Sequence, residues 1–280
     1  MVLARVIMAD TGAIGIFDSG VGGLSVMTEI VRELPQEDVL FFADSAHCPY
    51  GRRTHAEIQR LAQGIVASLL SQGAKIIVVA CNTASAASLS HLRETFEVPI
   101  VGMEPAVKPA AERTDSRVVG VMATEATFQG VLFASLLERF AADVEVLPRT
   151  CPGLVEQVEA GLIDAPSTRQ MLETHLEPLV QAGVDSLVLG CTHYPFLRLL
   201  IEEIAGPEID IIDPSPAVAR QTGRVLQRQG LLRESGRGSH TFYTSGHAQV
   251  FARLLEQLTD LSGPVLEAHW VDDEVSIHSG

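Results

Sequence analysis

The chain has 280 residues, enough for one large or two medium domains, and carries a net charge of −15. Hydrophobic residues make up 46% and aromatics only 5%, so a globular core must come mainly from Val, Leu, Ile and Ala, as in parallel sheets covered by helices. The acidic balance argues against nucleic acid as a partner and provides no long-range field to draw in an acidic ligand, so a bound carboxylate must rely on local N–H groups and polar side chains.

In chain order, Met1 to Asp10 holds too short an apolar run for a secretory signal, and no later run reaches membrane length, so cytoplasmic residence without a membrane partner is expected. Ala13-Ile-Gly-Ile-Phe17 reads as a buried strand that breaks at Asp18-Ser19-Gly20-Val-Gly22-Gly23 before a helix from Leu24 to Leu34. Ser25 occupies the last glycine position of a dinucleotide fingerprint and no Gly-Lys-Ser/Thr follows, so the glycines read as a generic anion-friendly turn. Asp38–Asp44 is a second strand, with Asp44 read as capping the turn after it. The loop Ser45–Gly51 follows, and then a Thr54/Glu57 capping box opens a helix to Gln72, stopped by Gly73. Lys75-Ile-Ile-Val-Val-Ala is a third strand ending at Cys81-Asn82-Thr83, with a helix to about Phe96, a short strand at Val98–Gly102 and a helix begun by Glu104-Pro105.

Arg117–Thr124 restarts the pattern. Thr127 is expected to open the next helix, a strand lies near Val144–Leu147, Arg149–Gly161 reads as a loop, and a helix spans Ser167–Ala182. Asp185-Ser-Leu-Val-Leu-Gly then ends at Cys191-Thr192-His193-Tyr-Pro195, with Pro195 in the first turn of a helix. A strand at Glu208–Asp213, a helix after Pro216, a strand at His240–Gly246, a helix to Leu258 and a fraying acidic tail from Asp272 complete the chain. This alternation gives an α/β fold of two similar doubly wound parallel-sheet lobes related by pseudo-twofold symmetry, with the site in the cleft between them. The expected division is 12–106 with 222–280 for the lobe carrying Cys81, and 107–221 for the lobe carrying Cys191.

The chemistry centres on two cysteines in the same strand–turn–helix setting. The four Cys at 48, 81, 151 and 191 are widely spaced without a Cys-x-x-Cys pair, which argues against a disulfide framework or a zinc ribbon. The only lysines are Lys75, at the wrong end of its strand, and Lys108, between Pro105 and Pro109; neither suits a Schiff base, so pyridoxal phosphate is discounted and no cofactor is expected. Two facing thiols could form a redox disulfide, make acyl intermediates, shuttle protons, or hold a metal with Asp18 and His193; no metal is expected. Proton transfer uses both thiols: inverting a stereocentre without a cofactor needs a base on one face and an acid on the other. Asp18 beside Cys81 and His193 beside Cys191 could manage their protons.

Gly15-Ile-Phe-Asp18-Ser19-Gly20, Pro49-Tyr50-Gly51, Cys81-Asn82-Thr83-Ala-Ser and Cys191-Thr192-His193-Tyr-Pro195 together resemble the bacterial glutamate racemase family, cofactor-independent enzymes that make D-glutamate for peptidoglycan. The resemblance covers nearly the whole chain. It implies Cys81 as the base for D-glutamate and Cys191 for L-glutamate, with Asp18, His193 and Glu159 assisting. It also implies substrate contacts from Asp18, Ser19, Pro49, Tyr50, Gly51, Asn82, Thr83, Thr124, Thr127, Thr192 and His193. Aspartate racemases resemble this family but typically carry Glu where His193 stands. The chain departs from the family at His47 (often Arg), at Cys48 (an apolar residue, so that packing is the expected role of this extra thiol near the site entrance) and at Gly130 (often Ser). Cys151 matches a family Cys, with burial expected. Glu156 is expected on a solvated helix face, and His47 among the surface or packing residues. A homodimer is the expected assembly. The alternatives are a related racemase or isomerase for another small amino or dicarboxylic acid, such as aspartate, and a non-catalytic dicarboxylate binder.

Overall fold

Alternating β-branched runs and amphipathic segments produce the layered pattern seen in the computed structural model, which describes residues 11–277. The N-terminal reading of Met1–Asp10 lies outside these residues. The elements are β1 (Ala13–Asp18), α1 (Leu24–Glu33), β2 (Val39–Ala43), α2 (His55–Ser71), β3 (Ala74–Val79), α3 (Asn82–Thr95), β4 (Ile100–Val101), α4 (Val107–Arg113), β5 (Val118–Ala123), α5 (Glu125–Gln129), α6 (Val131–Phe140), β6 (Glu145–Thr150), α7 (Leu154–Glu159), α8 (Pro166–Gln181), β7 (Ser186–Gly190), α9 (Arg198–Ala205), β8 (Asp210–Ile212), α10 (Ser215–Gln229), β9 (His240–Thr244), α11 (Ala248–Leu258), β10 (Val265–Val271) and β11 (Glu274–Ile277).

Two sheets result. One has the order β11-β10-β9-β2-β1-β3-β4 and the other β6-β5-β7-β8. All pairings are parallel except the β10–β11 hairpin. The second sheet repeats the arrangement β2-β1-β3-β4 of the first, as expected of two similar lobes. In each, the chain leaves the first strand on one side and returns on the other, between β1 and β3 and between β5 and β7. Such a reversal opens a crevice at the strand carboxyl ends. Cys81 lies just beyond β3 and Cys191 just beyond β7, so both thiols sit at these switch points. β1, β3 and β7 are buried along their full lengths, which explains why they read as unbroken apolar runs.

One buried apolar cluster is continuous across both sheets, joining Ile16, Met27 and Phe41 to Leu154, Leu176, Leu189 and Tyr194. Each such side chain contributes roughly 1.5–3 kcal/mol on burial. The capping box is present: Glu57 N–H donates to Thr54 Oγ1 at 3.3 Å and Thr54 N–H to Glu57 Oε2 at 2.9 Å. Gly73, at φ +89°, ends that helix. Lys75 is closed into a buried ion pair with Glu37 at 2.6 Å, at the opposite end of β3 from Cys81.

Three expectations are corrected. Arg149–Gly161 is not all loop: β6 runs on to Thr150, and α7 begins after Gly153, whose φ of +92° turns the chain so that Leu154, Val155 and Val158 are buried. Six residues are too few to show a helical period. Thr127 does not open its helix; Thr124 caps α5, and extended backbone at Gly130 separates α5 from α6. The tail from Asp272 does not fray at once: Val271 pairs with Glu274 around a two-residue turn, with Asp272 at φ +54°, and β11 holds to Ile277.

Candidate active site

Asp18 ends β1 and is fully buried. Its Oδ2 accepts from Gly23 N–H at 2.7 Å and from Thr192 Oγ1 at 3.3 Å. Burial pushes its pKa up, and His193, Cys81 and the Ser19 and Gly23 amides oppose that rise. Cys81 caps α3: its sulfur accepts from Ala84 N–H at 3.4 Å and lies 4.0 Å from Ser19 Oγ. Burial, followed by the Asp18 charge, holds the Cys81 thiol well above its ordinary pKa, outweighing the amide that favours the thiolate.

On the other sheet, Cys191 Sγ is 3.8 Å from His193 Nδ1. The opposite ring nitrogen, Nε2, donates to Glu159 Oε1 at 2.6 Å. Burial works against a charged imidazole, but hydrogen bonds to Cys191, Cys48 and Glu159 raise the His193 pKa well above its usual value. Glu159 shows the reverse: burial works against its charge, yet His193 and the Val21 N–H, at 2.8 Å, hold the carboxyl below the usual range. Glu159, His193 and Cys191 thus form a chain of contacts, with the imidazole between the carboxylate and the sulfur. Such carboxylate–imidazole support fixes the ring's orientation as well as its charge.

The two thiols line one narrow chamber together with Ser19, Pro49, Tyr50, Gly51, Asn82, Thr83, Thr124, Val155, Thr192 and His193. Asn82 is buried there with both amide atoms unpartnered among the described residues, an arrangement suited to a polar ligand. Thr83 Oγ1 lies 2.8 Å from Thr124 Oγ1 and 3.3 Å from Thr127 Oγ1, so three hydroxyls bridge the two sheets' helices. Thr127 is a step back from the chamber, and Asp18 and Glu159 act from behind the residues that line it. The chamber measures ≈ 10 Å³, about the space of one water. It is closed by bonds from one half to the other: Val21 N–H to Glu159, Ser25 Oγ to Thr192 O at 3.0 Å, and the threonine trio.

The glycine turn has a steric role beyond the anion-friendly one. A Cβ on Gly22 would lie 2.3 Å from His193 Nδ1, and one on Gly20 would lie 1.9 Å from Glu159 Oε1. The bare backbone lets Glu159 and His193 press against the end of β1.

One residue read as bland proves to be built into the site's frame. Asp44 is not merely a turn cap. Fully buried, it accepts from His47 Nδ1 at 2.9 Å, Tyr50 OH at 2.6 Å, Ser245 Oγ at 2.7 Å and Trp270 Nε1 at 2.9 Å. It pins the Pro49-Tyr50-Gly51 loop to β9 and β10, and His47 packs edge-on against Trp270. The signal available in the sequence was a carboxylate at a strand's carboxyl end; its donors are nearly two hundred residues or more away along the chain or hidden in a loop. Glu156 remains on a solvated helix face, as expected, and pairs there with the exposed Arg52 beside the cavity lined by Pro49, Gly51 and Thr124. Cys151 is buried, as expected.

Comparison with known proteins assigns the family. Residues 14–222 match the family model for Asp/Glu/hydantoin racemases. A glutamate racemase from Herpetosiphon aurantiacus is 49% identical over 246 residues, covering 88% of this chain and 97% of that protein. The crystal structure of a glutamate racemase isoform from Bacillus anthracis superposes with a TM-score of 0.83 at 34% identity, covering 91% of this chain and 97% of the other. The Escherichia coli glutamate racemase, solved with L-glutamate and the activator UDP-MurNAc-ala, gives 0.82 at 30% identity, covering 96% and 100%. The chain belongs to the Asp/Glu/hydantoin racemase family, in its glutamate racemase branch.

Proposed function

We propose that the protein interconverts L- and D-glutamate by a two-thiol, cofactor-independent mechanism, supplying D-glutamate for peptidoglycan in the cytoplasm. The observation that carries this reading is one narrow chamber lined by both Cys81 and Cys191. It is supported by the names of relatives about half identical over most of their length. The lobes taking part are 12–106 with 222–280, and 107–221, and the enzyme works as a homodimer.

In the L-to-D direction, Cys191 as thiolate removes the α-proton and Cys81 as thiol delivers one to the opposite face. The two sulfurs end with their states exchanged, ready for the reverse reaction. His193, held by Glu159, manages the proton on the Cys191 side, and Asp18 does so beside Cys81. Ser19, Asn82, Thr83, Thr124, Thr192 and the Tyr50-Gly51 amides hold the carboxylates and ammonium, with Pro49 shaping the wall and Thr127 orienting Thr83 and Thr124. Exclusion of water strengthens these contacts and makes a desolvated thiolate a stronger base.

The test is solvent exchange. In D2O, either enantiomer of glutamate should gain deuterium at Cα during turnover, and Cys81→Ser and Cys191→Ser should each lower racemisation by more than about 100-fold, the lower range for losing an acid–base group. Full activity in either variant, or no exchange with the intact chain, would defeat the proposal.

A further inference from the structure

The mechanism leaves one nearby thiol without a role. Cys48 precedes Pro49 in the loop that walls the chamber and is only partly exposed. One donor atom from each of Cys48, Glu159 and His193 lies within 4.8 Å of the other two, the only such group of His, Cys and acidic side chains among the described residues. They come from different parts of the chain: a loop after β2, the end of α7 and the turn after β7. The bare backbone of Gly20 lets two of them converge, since a Cβ there would lie 2.9 Å from Cys48 Sγ as well as against Glu159 Oε1.

A thiolate, an imidazole nitrogen and a carboxylate oxygen form a zinc-type donor set, with a fourth position open to water. Bonds of about 2.0–2.3 Å place tetrahedral donors roughly 3.3–3.8 Å apart. The His193–Glu159 contact of 2.6 Å would therefore have to open and the Cys48 sulfur move in slightly. These are side-chain adjustments. Hard cations such as magnesium do not favour a thiolate and two partly buried protein donors.

We propose that Cys48, His193 and Glu159 form an inhibitory site for a zinc-like divalent cation. Binding releases the Cys48 thiol proton and the His193 Nε2 proton to solvent while the metal takes their places. With Nε2 on the cation, the one ring proton left is on Nδ1, and giving it to Cys191 would leave an imidazolate, so His193 no longer exchanges a proton with Cys191 at neutral pH. The inhibition rests on the racemase reading; the coordination does not.

The site is tested with the full chain. Cobalt(II), which replaces zinc and absorbs strongly when bound by thiolate, should give a thiolate-to-metal charge-transfer band that is lost in Cys48→Val. In the racemase assay, the zinc concentration giving half-inhibition should rise about tenfold or more in Cys48→Val, since losing even an outer-shell partner weakens metal sites by about 10–100-fold. Magnesium should not inhibit. A Cys48→Val band equal to that of the parent would place the thiolate at Cys81, Cys151 or Cys191 and overturn the proposal, as would unchanged zinc sensitivity. If Cys48→Val does not fold, Cys48→Ser, nearly isosteric and a poor zinc ligand, makes the same comparison. Failure of the racemase reading alone would leave the cobalt result standing.

Discussion

Glu159, His193 and Cys191 set opposing electrostatic demands within a few ångströms. His193 is raised above its unfolded value, so the stability it contributes is full below about pH 6.5 and is lost as pH rises through its folded value. Glu159 is lowered, so its contribution is present above about pH 4.3 and is lost as pH falls through its folded value. Each group holds the other's charge, and their joint contribution is greatest between those limits. Glu159→Gln keeps the shape and removes the charge. The imidazolium should then lose its proton at lower pH, the basic limb of the kcat/KM profile should move to lower pH, and racemisation should fall by about 10–100-fold, less than the loss of an acid–base group itself because Glu159 acts through His193. A pH profile measured in both directions checks this; a variant with an unmoved basic limb would remove Glu159 from the support of His193.

The elements carry these residues with differing rigidity. β1, β3 and β7 are buried strands with fixed registers, whereas Tyr50 and Gly51 sit in a loop made rigid by Asp44. In Asp44→Asn an amide would face donors that now meet a carboxylate. A buried donor left unmet costs about 1–3 kcal/mol, so a loss of about 2 kcal/mol in urea unfolding is expected, with a raised KM for glutamate as the loop loosens. This contrast also explains what could be read before folding. The motifs around Asp18, Cys81 and Cys191 are local, because strand, turn and helix start are adjacent in the chain, and buried parallel strands announce themselves as apolar runs. The Asp44 bonds to Ser245 and Trp270 are set by tertiary geometry and leave no local trace. Nor does the steric demand on Gly20 and Gly22, since a glycine needed for close approach spells the same as one needed for a turn. Helix α7 was hidden by its brevity, and β10 and β11 by the polar residues at their turn.

For the molecule as a whole, the net charge of −15 opposes an anionic substrate at long range, while capture depends on short-range donors inside the cleft. Salt shortens the reach of that repulsion from about 30 Å at 0.01 M to about 8 Å at 0.15 M. Raising ionic strength across this range should increase kcat/KM for glutamate, by about twofold, where a steered enzyme would lose rate. A fall in kcat/KM with salt would show that local positive potential at the mouth governs capture instead. The Arg52–Glu156 pair at that mouth is largely exposed and contributes little to holding it shut. The buried contacts of Val21 with Glu159, Ser25 with Thr192 and Thr83 with Thr124 do so.

The space between the two sulfurs is only ≈ 10 Å³, and Pro49, Gly51, Thr124 and Val155 divide it from a wider cavity of ≈ 200 Å³, so the halves must part before substrate can bring its α-carbon between the thiols. Its observed dissociation constant is then the intrinsic constant divided by the fraction of molecules that are open. Every bond that seals the empty chamber lowers that fraction. Closure without substrate therefore behaves as a competitive inhibitor carried within the chain.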